Sequence, residues 1–241
     1  MTESVRIDTV IDGRHVPRAE VLRWEGARIT AAADKLGVTV PPLGHIGVRR
    51  EELLRRKLEL GQDGITRRLA RETRWADRTA RLQSAVTTRR RTSTVDLRVA
   101  GGGASHFVQW FENASQSGDD TALLRGCPDH FVIRTAPDGR QDVCETPGGS
   151  PLAARFRIDY QDISSLVTTI DQTFPHQIAG VALAGNGQPI GGVRHQFRDT
   201  PDGFEARLTV EFPFPTLWTM IAGHRWHLAC EFSNWIVHAN T

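Results

Sequence analysis

The feature that most constrains this fold is a run of short strand-like segments that ends in one long apolar helical stretch. Tight turns of the Asp-Gly and Gly-Asn-Gly type separate several of these segments, and such turns favour hairpins between antiparallel strands. The segments are residues 94–99, 130–134, 142–145, 154–160, 178–183, 191–198 and 204–212, and the helical stretch is 215–237. The pattern predicts an α+β fold in which the last helix packs on an antiparallel sheet, with room for a cavity between them.

The first 93 residues have a different character. Apolar residues recur at helical spacing over about 20–36 and again over 53–86, and a Val-Pro-Pro-Leu-Gly break separates the two stretches. Residues 1–20 are mixed and turn-prone, with at most a short strand. We therefore expect a helical, Arg-rich N-terminal region (1–93) ahead of a second domain (94–241). This region has two interpretations, a cap over a cavity or a homodimer contact.

Composition limits the partners. The net charge is +2 over 241 residues, with 39% hydrophobic and 24% charged residues, as in a globular protein. Arginines cluster between residues 55 and 91, but acidic residues are interspersed, which favours a solvated helix face over nucleic-acid binding. No apolar run approaches the ~20 residues of a membrane span, and no signal peptide is apparent. We expect no nucleic acid, no membrane, and a cytoplasmic protein with three reduced cysteines.

The closing helical stretch carries an ionisable pair in apolar surroundings. His227 and Glu231 are four residues apart, so on a helix they lie one above the other on the same face. A buried pair of this kind must be hydrogen-bonded, paired or bound to a metal. A histidine and a carboxylate one turn apart are a common way to hold Zn²⁺. The alternative is a simple His–Glu contact on a half-exposed face.

Three further polar residues lie at strand positions. His130 begins a strand after Cys127-Pro-Asp, and Glu145 ends the next strand, after a turn at Asp138-Gly139. Across an antiparallel hairpin the side chains of His130 and Glu145 can lie close together. His195 lies in a largely apolar strand. Each residue also has a plainer interpretation, a satisfied strand histidine or a solvated glutamate beside a turn.

Four segments, in order, resemble the 2,4-diacetylphloroglucinol hydrolase family, which includes phloretin hydrolase. The resemblance covers roughly residues 94–238, whereas residues 1–93 have no useful match. The segments are Trp110-Phe111 with Cys127-Pro-Asp-His130; Glu145-Thr-Pro-Gly-Gly-Ser-Pro-Leu-Ala-Ala-Arg-Phe-Arg-Ile158; Val193-Arg-His-Gln-Phe-Arg-Asp-Thr-Pro-Asp-Gly-Phe-Glu-Ala-Arg207; and Gly223-His-Arg-Trp-His-Leu-Ala-Cys-Glu-Phe232.

This resemblance implies a helix-grip (Bet v 1/START-like) catalytic domain with a deep cavity and a bound Zn²⁺. It places the metal on His130, Glu145, His227 and Glu231, and a second-sphere catalytic histidine at His195. The implied activity is hydrolysis of the carbon–carbon bond between an acyl group and a phenolic or polyketide-type ring. Two histidines and two glutamates with open positions also suit Fe²⁺, Mn²⁺ or Co²⁺.

The chain departs from this family where the substrate would bind. Those enzymes hold phenolic hydroxyls with tyrosines and an asparagine near the first metal histidine. Here Tyr160 is the only tyrosine, and Ile133 stands three residues after His130. We therefore expect a more apolar pocket, for a small aromatic or polyketide-like ketone other than a diacylphloroglucinol. The residues expected to contact this substrate are Trp110, Phe131, Trp226 and His224, although such aromatics often serve only as core.

Two alternatives stay open at this point. The same metal site could serve a cyclase or lyase of natural-product biosynthesis. In the other, the chain is a non-catalytic helix-grip protein that binds small molecules, with histidines and carboxylates that merely pair. Bound metal separates the first alternative from the second.

Overall fold

The computed structural model describes residues 5–241, which contain one antiparallel sheet of nine strands. The strands are β1 (Arg6–Ile11), β2 (Arg14–Val16), β3 (Arg90–Ala100), β4 (His130–Thr135), β5 (Gln141–Glu145), β6 (Ala154–Asp159), β7 (His176–Leu183), β8 (Pro189–Thr200) and β9 (Gly203–Pro213). Their order across the sheet is β2-β1-β3-β9-β8-β7-β6-β5-β4. Each predicted strand corresponds to one of these, and β1 and β2 lie in the turn-prone lead-in, of which residues 1–4 fall outside the described chain.

Five α-helices occur in residues 5–241: α1 (Arg18–Leu36), α2 (Ile46–Val86), α3 (Ala104–Gln116), α4 (Thr121–Gly126) and α5 (Trp218–Ala239). The predicted helical stretches at 20–36, 53–86 and 215–237 correspond to α1, α2 and α5. Helix α1 ends where Gly37 adopts a left-handed φ of 59°, as its position after the last periodic residue suggests. Across this part of the chain, none of the helices has both the length and the apolar character needed to cross a membrane.

The predicted helix-grip architecture is wrong. Residues 6–16 form edge strands that extend the same sheet, because β1 pairs with both β2 and β3. Helices α1 and α2, of 19 and 41 residues, contain more helical residues than α3, α4 and α5 together. They also cover the face of β4 and β5 that is turned away from α5. Local periodicity shows which segments are apolar, but it does not show which strands pair or which helices cover them.

A β-bulge near the start of β4 assigns side chains to the two faces of the sheet. The register shifts between His130, which pairs with Glu145, and Val132, which pairs with Cys144, so that Phe131 is an extra residue. The side chains that line the cavity are His130, Ile133, Val143 and Glu145, and those that pack with α1 and α2 are Phe131, Val132 and Cys144.

The ladder between β6 and β7 is short, and α2 lies beside it. Three ladder pairs, from Arg157–Leu183 to Asp159–Val181, join these strands. The C-terminal half of α2 lies against β6 and the turn after β7, where the Gly185 amide donates to the Asp77 carboxylate at 2.9 Å. The cavity-lining residues of this half are Ala76, Thr79, Ala80 and Gln83. The N-terminal region thus supplies part of the cavity wall.

Candidate metal centre

Four polar side chains converge in the interior between α5 and the β4–β5 hairpin. Nε2 of His130 lies 3.0 Å from Nε2 of His227 and 3.0 Å from Oε2 of Glu231. Oε2 of Glu145 lies 3.9 Å from the His130 nitrogen and 3.8 Å from the His227 nitrogen. The His227 and Glu231 atoms are 3.6 Å apart. The structure therefore brings together all four residues that the sequence predicts as metal ligands.

A strand hairpin and a helix determine the positions of these four side chains. His130 and Glu145 are paired residues of the β4–β5 ladder, so their side chains leave the sheet on the same face. His227 and Glu231 lie one turn apart on α5, and all four residues are buried. Two rigid elements, a hairpin and a helix, thus face each other with two donors each.

The outer nitrogens of the two histidines have different partners. Nδ1 of His130 lies 3.3 Å from the carbonyl oxygen of Leu123 in α4, a helix that the sequence did not predict. A carbonyl only accepts, so this contact places the proton on Nδ1 and leaves the Nε2 lone pair facing the centre. Nδ1 of His227 lies 3.8 Å from Sγ of Cys127. Each ring therefore points Nε2 inward, as a metal-binding histidine does.

The centre concentrates negative charge in an apolar interior. Burial raises the pKa of Glu145 above its ordinary value. Burial also opposes ionisation of Glu231, but the adjacent imidazoles of His130 and His227 outweigh it and hold the pKa of Glu231 below its ordinary range. No arginine or lysine in residues 5–241 forms an ion pair with either carboxylate. Two imidazoles and two carboxylates, with no arginine or lysine of the described chain paired to them, are a donor set that suits a divalent metal.

A second grouping shares the same histidines. Cys127, His130 and His227 form a buried group that could hold a metal ion, since one ligand atom of each lies within 4.8 Å of the others. The sequence analysis did not predict Cys127, because the chain lacks a CxxC pair, although the Cys-Pro-Asp-His spacing is a signal for it. Sγ approaches Nδ1 of His227, whereas the carboxylates approach Nε2. Burial raises the pKa of the Cys127 thiol well above its ordinary value.

A cavity of about 540 Å³ lies in front of the centre, a volume typical of small-molecule sites. Apolar side chains form most of its wall, and His130, Glu145 and Glu231 reach it. His195 of β8 also lines it, with its ring 4.7 Å from that of Phe232. Nδ1 of His195 is buried and has no hydrogen-bond partner within the described chain. Burial lowers the pKa of His195 to about 4, so the ring is neutral near pH 7.

Of the four predicted substrate-binding residues, one lines the cavity and three do not. His224 lines the cavity, where its ring stacks on that of His227 at 5.2 Å and its Nδ1 lies 3.2 Å from Oγ of Ser93. Trp110, Phe131 and Trp226 are not brought to the cavity. Trp110 stacks on Phe107, Phe131 is buried beneath α1 and α2, and Trp226 packs at the edge of the main core. The wall residues of α2 were not predicted individually, although a cap over the cavity was one of the two interpretations of the N-terminal region.

Comparisons with known proteins give no function. No family model matches the chain, and a search of curated proteins found no match. Among solved structures, protein Ms6760 from Mycobacterium smegmatis resembles 61% of this chain and 86% of its own length, with 12% sequence identity and a TM-score of 0.31. A likeness this small supports no argument about activity, so the function has to be argued from the centre and its cavity.

Proposed function

We propose that this protein is a zinc-dependent hydrolase that cleaves the carbon–carbon bond between an acyl group and a phenolic or polyketide-type ring. The observation that carries the proposal is the convergence of two imidazoles and two carboxylates, at distances of 3.0–3.9 Å, beside a largely apolar cavity. These four residues lie in segments that resemble 2,4-diacetylphloroglucinol hydrolases, which supports the same reaction class.

His130, Glu145, His227 and Glu231 are the residues that would hold the ion. A zinc ion with an open position supplies Lewis acidity, which polarises a carbonyl or lowers the pKa of a bound water towards ~7. The chain contributes the orientation of the donors, since the carbonyl of Leu123 fixes the ring of His130. Its apolar cavity wall excludes bulk water from the reacting groups.

His195 is the group of this chain best placed to hold or move a proton. Cleavage requires the ring carbon to leave as a carbanion equivalent unless it is protonated first, in the ketonised form of the ring. His195 lines the cavity, and its buried Nδ1 has no hydrogen-bond partner within the described chain. This nitrogen can therefore form a hydrogen bond to an oxygen on the ring of the substrate. Because the imidazole is neutral near pH 7, it can form this hydrogen bond without the cost of a buried charge, whereas a proton that it takes up must be passed on to the ring of the substrate.

The cavity favours an apolar ketone. Tyr160, the single tyrosine, already donates its hydroxyl to Oε1 of Gln141 at 3.0 Å, and Ile133 lines the wall nearby. Few free hydroxyl groups are thus available to hold a polyhydroxylated ring. A small aromatic or polyketide-like ketone with few hydroxyls fits this wall better than a diacylphloroglucinol.

The test compares the wild type with Glu231→Gln and His195→Ala, all purified without added metal. We expect about one zinc per chain in the wild type and in His195→Ala, and loss of the metal in Glu231→Gln. On a panel of acyl-phenols, His195→Ala should lose about 10²- to 10⁴-fold in kcat, because it removes a proton-transfer group. Full activity in either variant, or a wild type without metal, would contradict the proposal.

A further inference from the structure

A buried ion pair lies directly behind the strands that present the donors. Arg28 of α1 donates from Nε to Oδ2 of Asp129 at 2.8 Å and from Nη2 to Oδ1 at 2.7 Å. The side chain of Asp129 is 0% exposed, and that of Arg28 is 17% exposed. Two parallel hydrogen bonds fix the orientation of the carboxylate as well as its distance, which a lysine ammonium does not do.

Asp129 connects to both strands of the hairpin. It directly precedes His130, and its carbonyl oxygen accepts a hydrogen bond from the amide of Thr146 at 3.1 Å. Thr146 directly follows Glu145, so this bond extends the ladder in which His130 and Glu145 are paired. The position of Asp129 therefore sets the end of the hairpin that carries two of the four donors.

The same guanidinium lies against the turn that meets α5. Nη1 of Arg28 is 3.3 Å from the place that a Cβ on Gly149 would take. The neighbouring Gly148 crosses α5 so closely that a Cβ on Gly223 would lie 2.0 Å from the Gly148 carbonyl oxygen. Gly223 stands one helical turn before His227. Arg28 thus lies where β4, the turn after β5, and α5 meet.

We propose that Arg28 is a positioning residue for the metal centre, which holds the β4–β5 hairpin and α5 at the separation that the four donors require. The inference rests on the proposed metal-binding role of those donors. It also gives the N-terminal region a part in the site, because Arg28 belongs to α1. Without Arg28 the buried Asp129 carboxylate loses its counter-ion, and the hairpin end must shift to hydrate it.

A second ion pair on the same helix provides a matched control. Arg50 of α2 donates to Glu25 of α1 at 2.5 and 2.9 Å, and the Glu25 side chain is 0% exposed. This pair has the same two-point geometry and the same burial of its carboxylate. It joins α1 to α2, and Nη2 of Arg50 also donates to Oδ1 of Asn234 on α5 at 3.2 Å, but the pair does not touch the β4–β5 hairpin. Its loss should therefore affect stability and leave His130 and Glu145 in place.

The experiment measures Zn²⁺ affinity by competition with a chromophoric chelator for the wild type, Arg28→Ala, Arg28→Lys and Arg50→Ala, together with Tm. We expect Arg28→Ala to bind Zn²⁺ about 10- to 100-fold more weakly, with Arg28→Lys in between. Arg50→Ala should lower Tm about as much as Arg28→Ala and keep wild-type affinity. If Arg28→Ala does not fold, Arg28→Lys decides by the same criterion.

The outcomes separate this inference from the proposed function. A wild type that does not bind Zn²⁺ would overturn both. A wild type that binds Zn²⁺, with Arg28 variants of equal affinity, would overturn the positioning role alone. Equal weakening in Arg50→Ala would also overturn it, because the effect would then not depend on the contact with Asp129.

Discussion

The two faces of the β4–β5 hairpin differ sharply although neighbouring residues of the same strands form them. One face presents His130 and Glu145 to the cavity, and the other packs Phe131 and Cys144, which are 1% and 2% exposed, against α1 and α2. The two polar side chains thus lie on a hairpin whose opposite face, termed the packed face, is close-packed against α1 and α2. A packed reverse side limits how far the donors can move, as a precise site requires.

The largest effect should separate Glu145 from its neighbour Cys144. Glu145→Ala removes a proposed ligand from the cavity face, so most of the bound zinc should be lost in elemental analysis. Cys144→Ala changes the packed face and should cost about 1 kcal/mol of unfolding free energy while zinc is retained. Equal loss of zinc in both variants would show that the two faces are not functionally distinct.

Local sequence patterns predicted two pairs of neighbouring polar residues, and the resemblance implied that the two pairs meet. The spacing of His227 and Glu231 places both on one face of α5 wherever that helix packs. The Asp-Gly turn after β4 predicts a hairpin in which His130 comes close to Glu145, and the bulge at Phe131 then sets the two residues directly opposite each other. Both relations depend on short stretches of chain, so they survive an error in the overall architecture. As metal ligands these residues stay a prediction.

Relations between distant segments could not be predicted in this way. The bulge at Phe131 reverses the face of each later residue in β4, and no turn residue marks it. Phe131 was expected at the substrate because it is aromatic, but it alternates with His130 and lies beneath α1 and α2. The helix-grip assignment, which the resemblance implied, was wrong because residues 1–93 have no match in that family, and these residues contain the edge strands β1 and β2 and the helix α2 that lies against β6.

The second-largest effect should be a loss of stability when a large side chain of the packed face is shortened. Phe131→Ala removes a fully buried ring, and we expect a loss of about 3–5 kcal/mol in urea unfolding. Phe131→Leu, the control, retains most of the apolar volume and should cost about 1.5 kcal/mol or less. The folded fraction of both variants should keep one zinc per chain. Folded Phe131→Ala protein without zinc would mean that the bulge residue helps to form the centre.

The smallest effect concerns a buried lysine on the packed face. Nζ of Lys57 donates to the carbonyl oxygen of Pro128 at 2.8 Å and lies 5.8 Å from the Phe131 ring centre. Burial lowers the pKa of Lys57 from 10.5 to about 8. Between these values the unfolded chain binds more protons than the folded one, so the free energy of unfolding should rise with pH across that window. The full gain is at most about 3 kcal/mol, at 1.36 kcal/mol per pKa unit.

Urea unfolding of Lys57→Met between about pH 8 and pH 10 tests this sign. Subtraction from the wild type cancels the thiols, which titrate in both proteins. The wild type should gain stability relative to Lys57→Met as pH rises, because only the wild type loses the cost of a buried ammonium. Lys35→Met is the control, since Lys35 is the other lysine and pairs with Glu72 at 2.6 Å. A Lys57→Met variant that follows the wild-type curve would show that the packed face tolerates the charge of Lys57. The two faces of the hairpin would then differ in how closely they are packed and not in how they tolerate charge.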